Sequence, residues 1–219
     1  MVRVPYLNQD DLADADKVLL ARPANIFRAL VNSPKGARAF ARHGNYILSR
    51  SKLDPRLREL AIIQVGYSTN CPYDYSHHVE IGRQNGVSDD DIRAIAEESA
   101  GHKSNLGELE RAVLSTAREI TNDISLSDDT FAVLEAALDS ESLVDLILAI
   151  SFYNGASRTL NALEVDVEDS YLHYLEEFPL PKKQSLSLPS APRTAAYRLR
   201  HRLAAPPDAG VARARPVLE

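Results

Sequence analysis

Leu53 to Gly86 reads LDPRLRELAIIQVGYSTNCPYDYSHHVEIGRQNG, and it parses into two helices joined by a tight turn. Asp54-Pro55 is a helix start, with the aspartate as N-cap and proline at the first helical position, where its missing N–H costs nothing. The turn falls at Thr69-Asn70, and Cys71-Pro72 opens the second helix. Helical spacing puts Ile62, Ile63 and Gly66 on the face of Glu59, so that residue is a carboxylate on a largely apolar helix. On the second helix Cys71, Asp74 and His78 project to one side, while His77 points about 100° away.

Working outward, residues 1–180 keep helical periodicity and show little of the sustained alternation that strands need. Pro23 marks another first helical position, and Ser88 precedes Asp91 with capping-box spacing. These signals predict one all-α domain with helices near 23–32, 35–50, 55–69, 73–85, 89–99, 106–122, 128–138, 141–160 and 168–177. There is no convincing internal repeat, P-loop or GxGxxG pattern, so nucleotide cofactors have no visible seat. Residues 181–219 read differently, holding six of the twelve prolines among Ser, Ala and Arg. That composition predicts a flexible Pro/Arg-rich tail, with Ala195 to Leu203 its one short helical stretch.

The net charge of −6 conceals an asymmetry: eight basic and two acidic residues from Pro181 onward give the tail +6, which leaves −12 on residues 1–180. A broad nucleic-acid-binding face on so acidic a body is disfavoured, and no nucleic-acid partner is expected. The longest apolar stretch, Leu143 to Tyr153, is broken by Asp145 and Ser151, so neither a membrane span nor a membrane partner is expected. The N-terminus lacks the apolar region of a secretory signal, and the single cysteine, Cys71, fits a reducing compartment, which together predict a cytoplasmic protein.

Burial disfavours the charged form of a carboxylate, the tuning that proton transfer near neutral pH requires, and Glu59 is placed for it. The plainer role for Glu59 is an ion pair with Arg56 or Arg58. Cys71 sits at a helix N-terminus, which favours its thiolate, whereas Asp74 nearby opposes it, so the direction stays open. His78 is placed either to shuttle protons or to be held by Asp74. Later in the chain Asn154, Arg158 and Asn161 form a polar stripe at i, i+4 and i+7 on an otherwise apolar helix. Arg158 is suited to grip a carboxylate with two prongs, or to hold helices together through Glu59 or Glu164.

Together, Glu59, the run Cys71-Pro-Tyr-Asp74-Tyr-Ser-His77-His78, LDPRLRELAI and FYNGASRTLNALEVDVE at 152–168 resemble the carboxymuconolactone decarboxylase and alkylhydroperoxidase-D-like family over roughly residues 20–170. In that family a glutamate, a C-x-x-C pair and a histidine four residues beyond the second cysteine form a proton-relay and thiol centre. Glu59, Cys71 and His78 match that spacing, and Asp74 stands where the second cysteine would be. A carboxylate cannot resolve a sulfenic acid as a disulfide, so dithiol peroxidase chemistry is not expected. The resemblance implies a multi-helix orthogonal bundle assembled as a homo-oligomer, commonly a trimer or hexamer. It also implies a cofactor-independent, decarboxylase-like lyase for a small acidic or carbonyl-bearing metabolite, with Glu59, Cys71, Asp74 and His78 at the catalytic centre. No metal and no organic cofactor are expected. Arg158, Asn154, Tyr67, Tyr73 and His77 are the candidate substrate-binding residues. Three alternatives accompany it: a single-cysteine antioxidant protein, a metal site on Glu59, Asp74 and His78, and a non-catalytic binding or assembly protein.

Overall fold

The computed structural model describes residues 2–182, and the expected flexible tail lies outside the described residues apart from its first two positions. Nine α-helices occur among the described residues: α1 (Asn25–Leu30), α2 (Pro34–Ser49), α3 (Pro55–Ser68), α4 (Pro72–Gln84), α5 (Asp89–Ser99), α6 (Glu108–Asn122), α7 (Asp128–Ala137), α8 (Ser140–Leu163) and α9 (Leu172–Glu177). No strand occurs among them, in keeping with the alkylhydroperoxidase-D-like bundle expected. The expected boundaries hold within a few residues for α2 to α8. The last expected helix, 168–177, begins instead as a 3-10 turn at Asp169–Tyr171, and two further 3-10 turns at Gln9–Asp11 and Asp14–Leu20 precede α1. None of the described helices is long and apolar enough to cross a membrane.

α3 is the axis of the fold, packing against α4, α5, α6 and α8. Asp54 caps it by accepting from the amides of Arg56 and Leu57, both at 3.0 Å. Every residue from Leu57 to Gly66 is buried, which explains why this helix shows no single apolar stripe. Burying each of Leu60, Ile62, Ile63 and Val65 contributes about 1.5–3 kcal/mol. Three further devices pin the surroundings of α3. Arg56 reaches Asp91 on α5 and Glu110 on α6, each at 2.9 Å. Ser88 and Asp91 form the expected capping box at the start of α5. Asp145 on α8, itself buried, accepts from Tyr46 (2.8 Å), Ser51 (2.7 Å) and the Lys52 amide (3.1 Å), which ties α2 and the loop before α3 to α8.

The turn between α3 and α4 decides where the chemistry sits. Asn70 adopts the left-handed conformation (φ 49°), and the Cys71 amide returns to the Gly66 carbonyl at 2.9 Å. A Cβ on Gly66 would stand 3.0 Å from both the Cα and the N of Tyr75, so only glycine lets the first turn of α4 lie this close to the last turns of α3.

Candidate active site

That close approach brings Glu59 and His78 into contact. His78 Nδ1 lies 2.7 Å from Glu59 Oε2, with Glu59 fully buried and His78 5 % exposed. The other carboxylate oxygen accepts from Arg58 Nε at 2.9 Å, and Arg58 is itself 4 % exposed. Both readings of Glu59 therefore meet in one residue, since it is ion-paired with Arg58 and also bonded to His78. Arg56, the other arginine considered, is engaged elsewhere. Tyr153 of α8 packs edge-on against the His78 ring at 4.6 Å, and burial together with the nearby Glu59 and Asp74 carboxylates pushes its phenol well above the ordinary range.

Cys71 and Asp74 form the second half of the centre. Asp74, also buried, accepts a 2.6 Å hydrogen bond from the Ser157 hydroxyl of α8. Burial pushes its carboxyl up to about 6, while His78 and the Ser157 hydrogen bond pull the other way. The Cys71 thiol is fully buried and pushed up to about 12 by burial first and the Asp74 charge second. Main-chain amides at the start of α4 and the Ser157 hydroxyl oppose that shift without overcoming it. The question left open by the sequence is thus answered by desolvation, which outweighs the helix terminus.

The remaining candidates lie apart from this centre. Arg158 turns back on its own helix, donating to the Asn154 carbonyl at 2.8 Å and to the Asn154 side chain, and makes no ion pair with Glu59 or Glu164. It lines an open concavity of about 330 Å³ with Ser68, Thr69, Thr121, Asn122 and Asn161. Asn154 is buried and donates to Thr121 at 2.9 Å. Tyr67 is half-buried and tilted against Tyr75 at 6.0 Å. Tyr73 and His77 belong to a second polar cluster. The Tyr73 hydroxyl donates to Glu168 at 3.0 Å and accepts from the Ile26 amide, while the Asn25 amide donates to the same carboxylate at 2.7 Å. His77 sits edge-on between Tyr73 and Tyr171, with Nε2 2.9 Å from Glu168 Oε2 but no hydrogen bond to either ring nitrogen. Burial and the neighbouring His78 push it down to about 3, so it is neutral.

Arg58, Tyr153 and Ser157 face the centre and were not singled out as site residues in the sequence. Tyr153 and Ser157 are themselves four apart, one position before Asn154 and Arg158. One position is 100° of helix, so the buried face was displaced from the polar stripe by that step alone. No cluster of three or more metal-ligating side chains occurs among the described residues, and both Glu59 oxygens are already engaged.

An all-helical core with a buried Glu–His pair on two consecutive helices is the arrangement of alkylhydroperoxidase-D-like proteins. The core of an uncharacterized peroxidase-related protein from Ralstonia eutropha JMP134, described as an alkylhydroperoxidase AhpD core, matches with a TM-score of 0.65 at 19 % identity, over 83 % of this chain and 98 % of that one. The debrominase Bmp8, solved in complex with 2,3,4-tribromopyrrole, matches with a TM-score of 0.67 at 18 % identity, over 81 % of this chain and 97 % of that one. A protein from Agrobacterium tumefaciens described as a putative antioxidant defence protein AhpD matches with a TM-score of 0.55 at 24 % identity, covering 64 % of this chain and 94 % of that one. No curated protein matches the chain. Residues 34–102, which hold Glu59, Cys71, Asp74 and His78, match the model of the Carboxymuconolactone decarboxylase family, and over them the chain belongs to that family.

Proposed function

We propose that the protein is a cofactor-independent, decarboxylase-like lyase for a small acidic or carbonyl-bearing metabolite, with Glu59 and His78 as its proton relay. The observation that carries this reading is the 2.7 Å contact between Glu59 Oε2 and His78 Nδ1 inside a buried centre. A carboxylate on Nδ1–H leaves Nε2 as the nitrogen that takes up and returns a proton. Nε2 makes no hydrogen bond to any described residue, so it is available to substrate. In a decarboxylation the carbon–carbon bond to the departing carboxylate breaks and its electron pair enters an enolate. A protonated Nε2 then supplies the proton to the α-carbon and is reloaded from solvent. Cys71, with a thiol held protonated, serves as pocket wall in this scheme, which argues against the single-cysteine antioxidant reading.

The test is incubation with small keto acids and lactone acids, followed by carbon dioxide release and by deuterium incorporation next to the carbonyl in D₂O. Glu59→Gln keeps an acceptor for Arg58 but cannot hold the imidazolium, so turnover falls by roughly 10²-fold or more. Turnover equal to wild type in that variant ends the proposal.

We further take the chain to work as a homo-oligomer. Val144 and Leu148 on α8 are 51 % and 38 % exposed, and Gly155 further along the helix has open space where a Cβ would be. Light scattering decides this, a monomer counting against it.

A further inference from the structure

The buried centre contains one group whose binding capacity is unused. Arg58 spends Nε on Glu59, while its Nη1 and Nη2 make no hydrogen bond or ion pair with any described residue. A guanidinium carries five N–H donors in a planar fork, and the four on the Nη atoms match a carboxylate in two-pronged geometry. Leaving such donors unmet on a side chain only 4 % exposed is costly unless something occupies them in the working protein. The 2.9 Å bond to Glu59 fixes the orientation of the fork relative to the relay, because the same carboxylate holds His78. Tyr153 closes the other side, lying against His78 and close enough to Arg58 and Glu59 to feel both charges.

We propose that Arg58, and not Arg158, binds the substrate's carboxylate, so that the site selects small organic acids over their neutral counterparts. This deepens the relay reading and rests on it for the fate of the acid, though not for its binding. Arg158 is the natural rival, being the more exposed guanidinium, but it is folded onto Asn154 beside a different concavity. A carboxylate entering the centre adds negative charge next to Asp74. That stabilises the protonated form of Asp74, so binding takes up a proton in the pH range where Asp74 titrates.

The experiment is calorimetric titration of the full chain with acetate, benzoate and 4-oxopentanoate, and with their methyl esters as uncharged controls, in two buffers of different ionisation enthalpy. At least one acid is expected to bind with net proton uptake near pH 6, and no ester to do so. Arg58→Gln should weaken that acid by roughly tenfold or more, the loss of a charge-assisted pair. Arg58→Lys keeps the charge beside Glu59 while removing the fork, and is expected to lose most of the same affinity, which separates recognition from folding. Glu59→Gln and Arg158→Gln should both retain binding. Wild-type affinity in both Arg58 variants, loss of binding in Arg158→Gln alone, equal binding of acids and esters, or no acid binding at all would each overturn the proposal. Because Glu59→Gln separates binding from turnover, failure of the relay and failure of the Arg58 clamp give different results.

Discussion

Ser157 on α8 donates to Asp74 on α4 at 2.6 Å, with both side chains buried, and so the carboxylate standing where relatives have a second cysteine is held as part of the core. This bond ties two helices 83 residues apart in sequence through a group that water cannot reach. Removing the hydroxyl with Ser157→Ala strands Asp74 and should cost about 1–3 kcal/mol of stability. The same change should move any activity limb that reports Asp74 to higher pH, since an acceptor that loses its donor holds its proton more tightly. Chemical denaturation and a pH–rate profile together check it.

Asp74 also gives stability a definite pH dependence. Its carboxyl rises from 3.8 to about 6 on folding, so between those values the folded state binds more protons than the unfolded one, and stability falls as pH rises through that window. Above it the ionised group costs about 2–3 kcal/mol at 1.36 kcal/mol per pKa unit. Asp74→Asn should therefore be more stable than wild type near pH 7 and lose its advantage below pH 4. Urea unfolding at several pH values measures the difference, and an equal deficit at every pH would contradict it.

Cys71 should be inert in the native state. With the thiol fully buried and pushed up to about 12, the thiolate fraction near pH 8 is minute. Alkylation by iodoacetamide should run roughly a thousandfold slower than for a free thiol and become fast only on unfolding. Mass spectrometry of timed samples reads this directly.

Gly66→Ala should spread α3 from α4. The new Cβ would meet backbone atoms of Tyr75 at 3.0 Å, and backbone cannot swing aside as a side-chain tip can. A loss of about 1–3 kcal/mol is expected from overpacking. Turnover should fall with it, because the shift carries His78 away from Glu59. Thermal unfolding and residual activity of the folded fraction separate the two effects.

Glu168→Ala removes the acceptor shared by the Asn25 amide and the Tyr73 hydroxyl and the carboxylate beside His77. A destabilisation of about 2–3 kcal/mol is expected from two stranded donors. Hydrogen exchange should rise first at residues 24–28 and 165–171, the segments this carboxylate joins. Uniform loss of protection across α3 instead would point to global unfolding and against a local clasp.

Much of this molecule was legible in one dimension. Asp54-Pro55, Cys71-Pro72 and Ser88 with Asp91 are local signals, whose capping and steric consequences act within a turn or two, and they mark the starts of α3, α4 and α5 correctly. The spacing from Glu59 to Cys71 to His78 is likewise a sequence property, and so is the absence of a second cysteine. Tertiary structure decided the rest. Whether Cys71 is thiolate or thiol depends on how much protein surrounds it, and desolvation is a sum over neighbours from α4 and α8 that no local pattern contains. Arg58 looked like a mere counter-ion and Arg158 like the binding group, because sequence shows charge but not which donors remain unspent. The 100° step between the Asn154–Arg158 stripe and the Tyr153–Ser157 face is invisible until α8 is laid against α3 and α4, and that rotation selects the side chains that meet Glu59, Asp74 and His78.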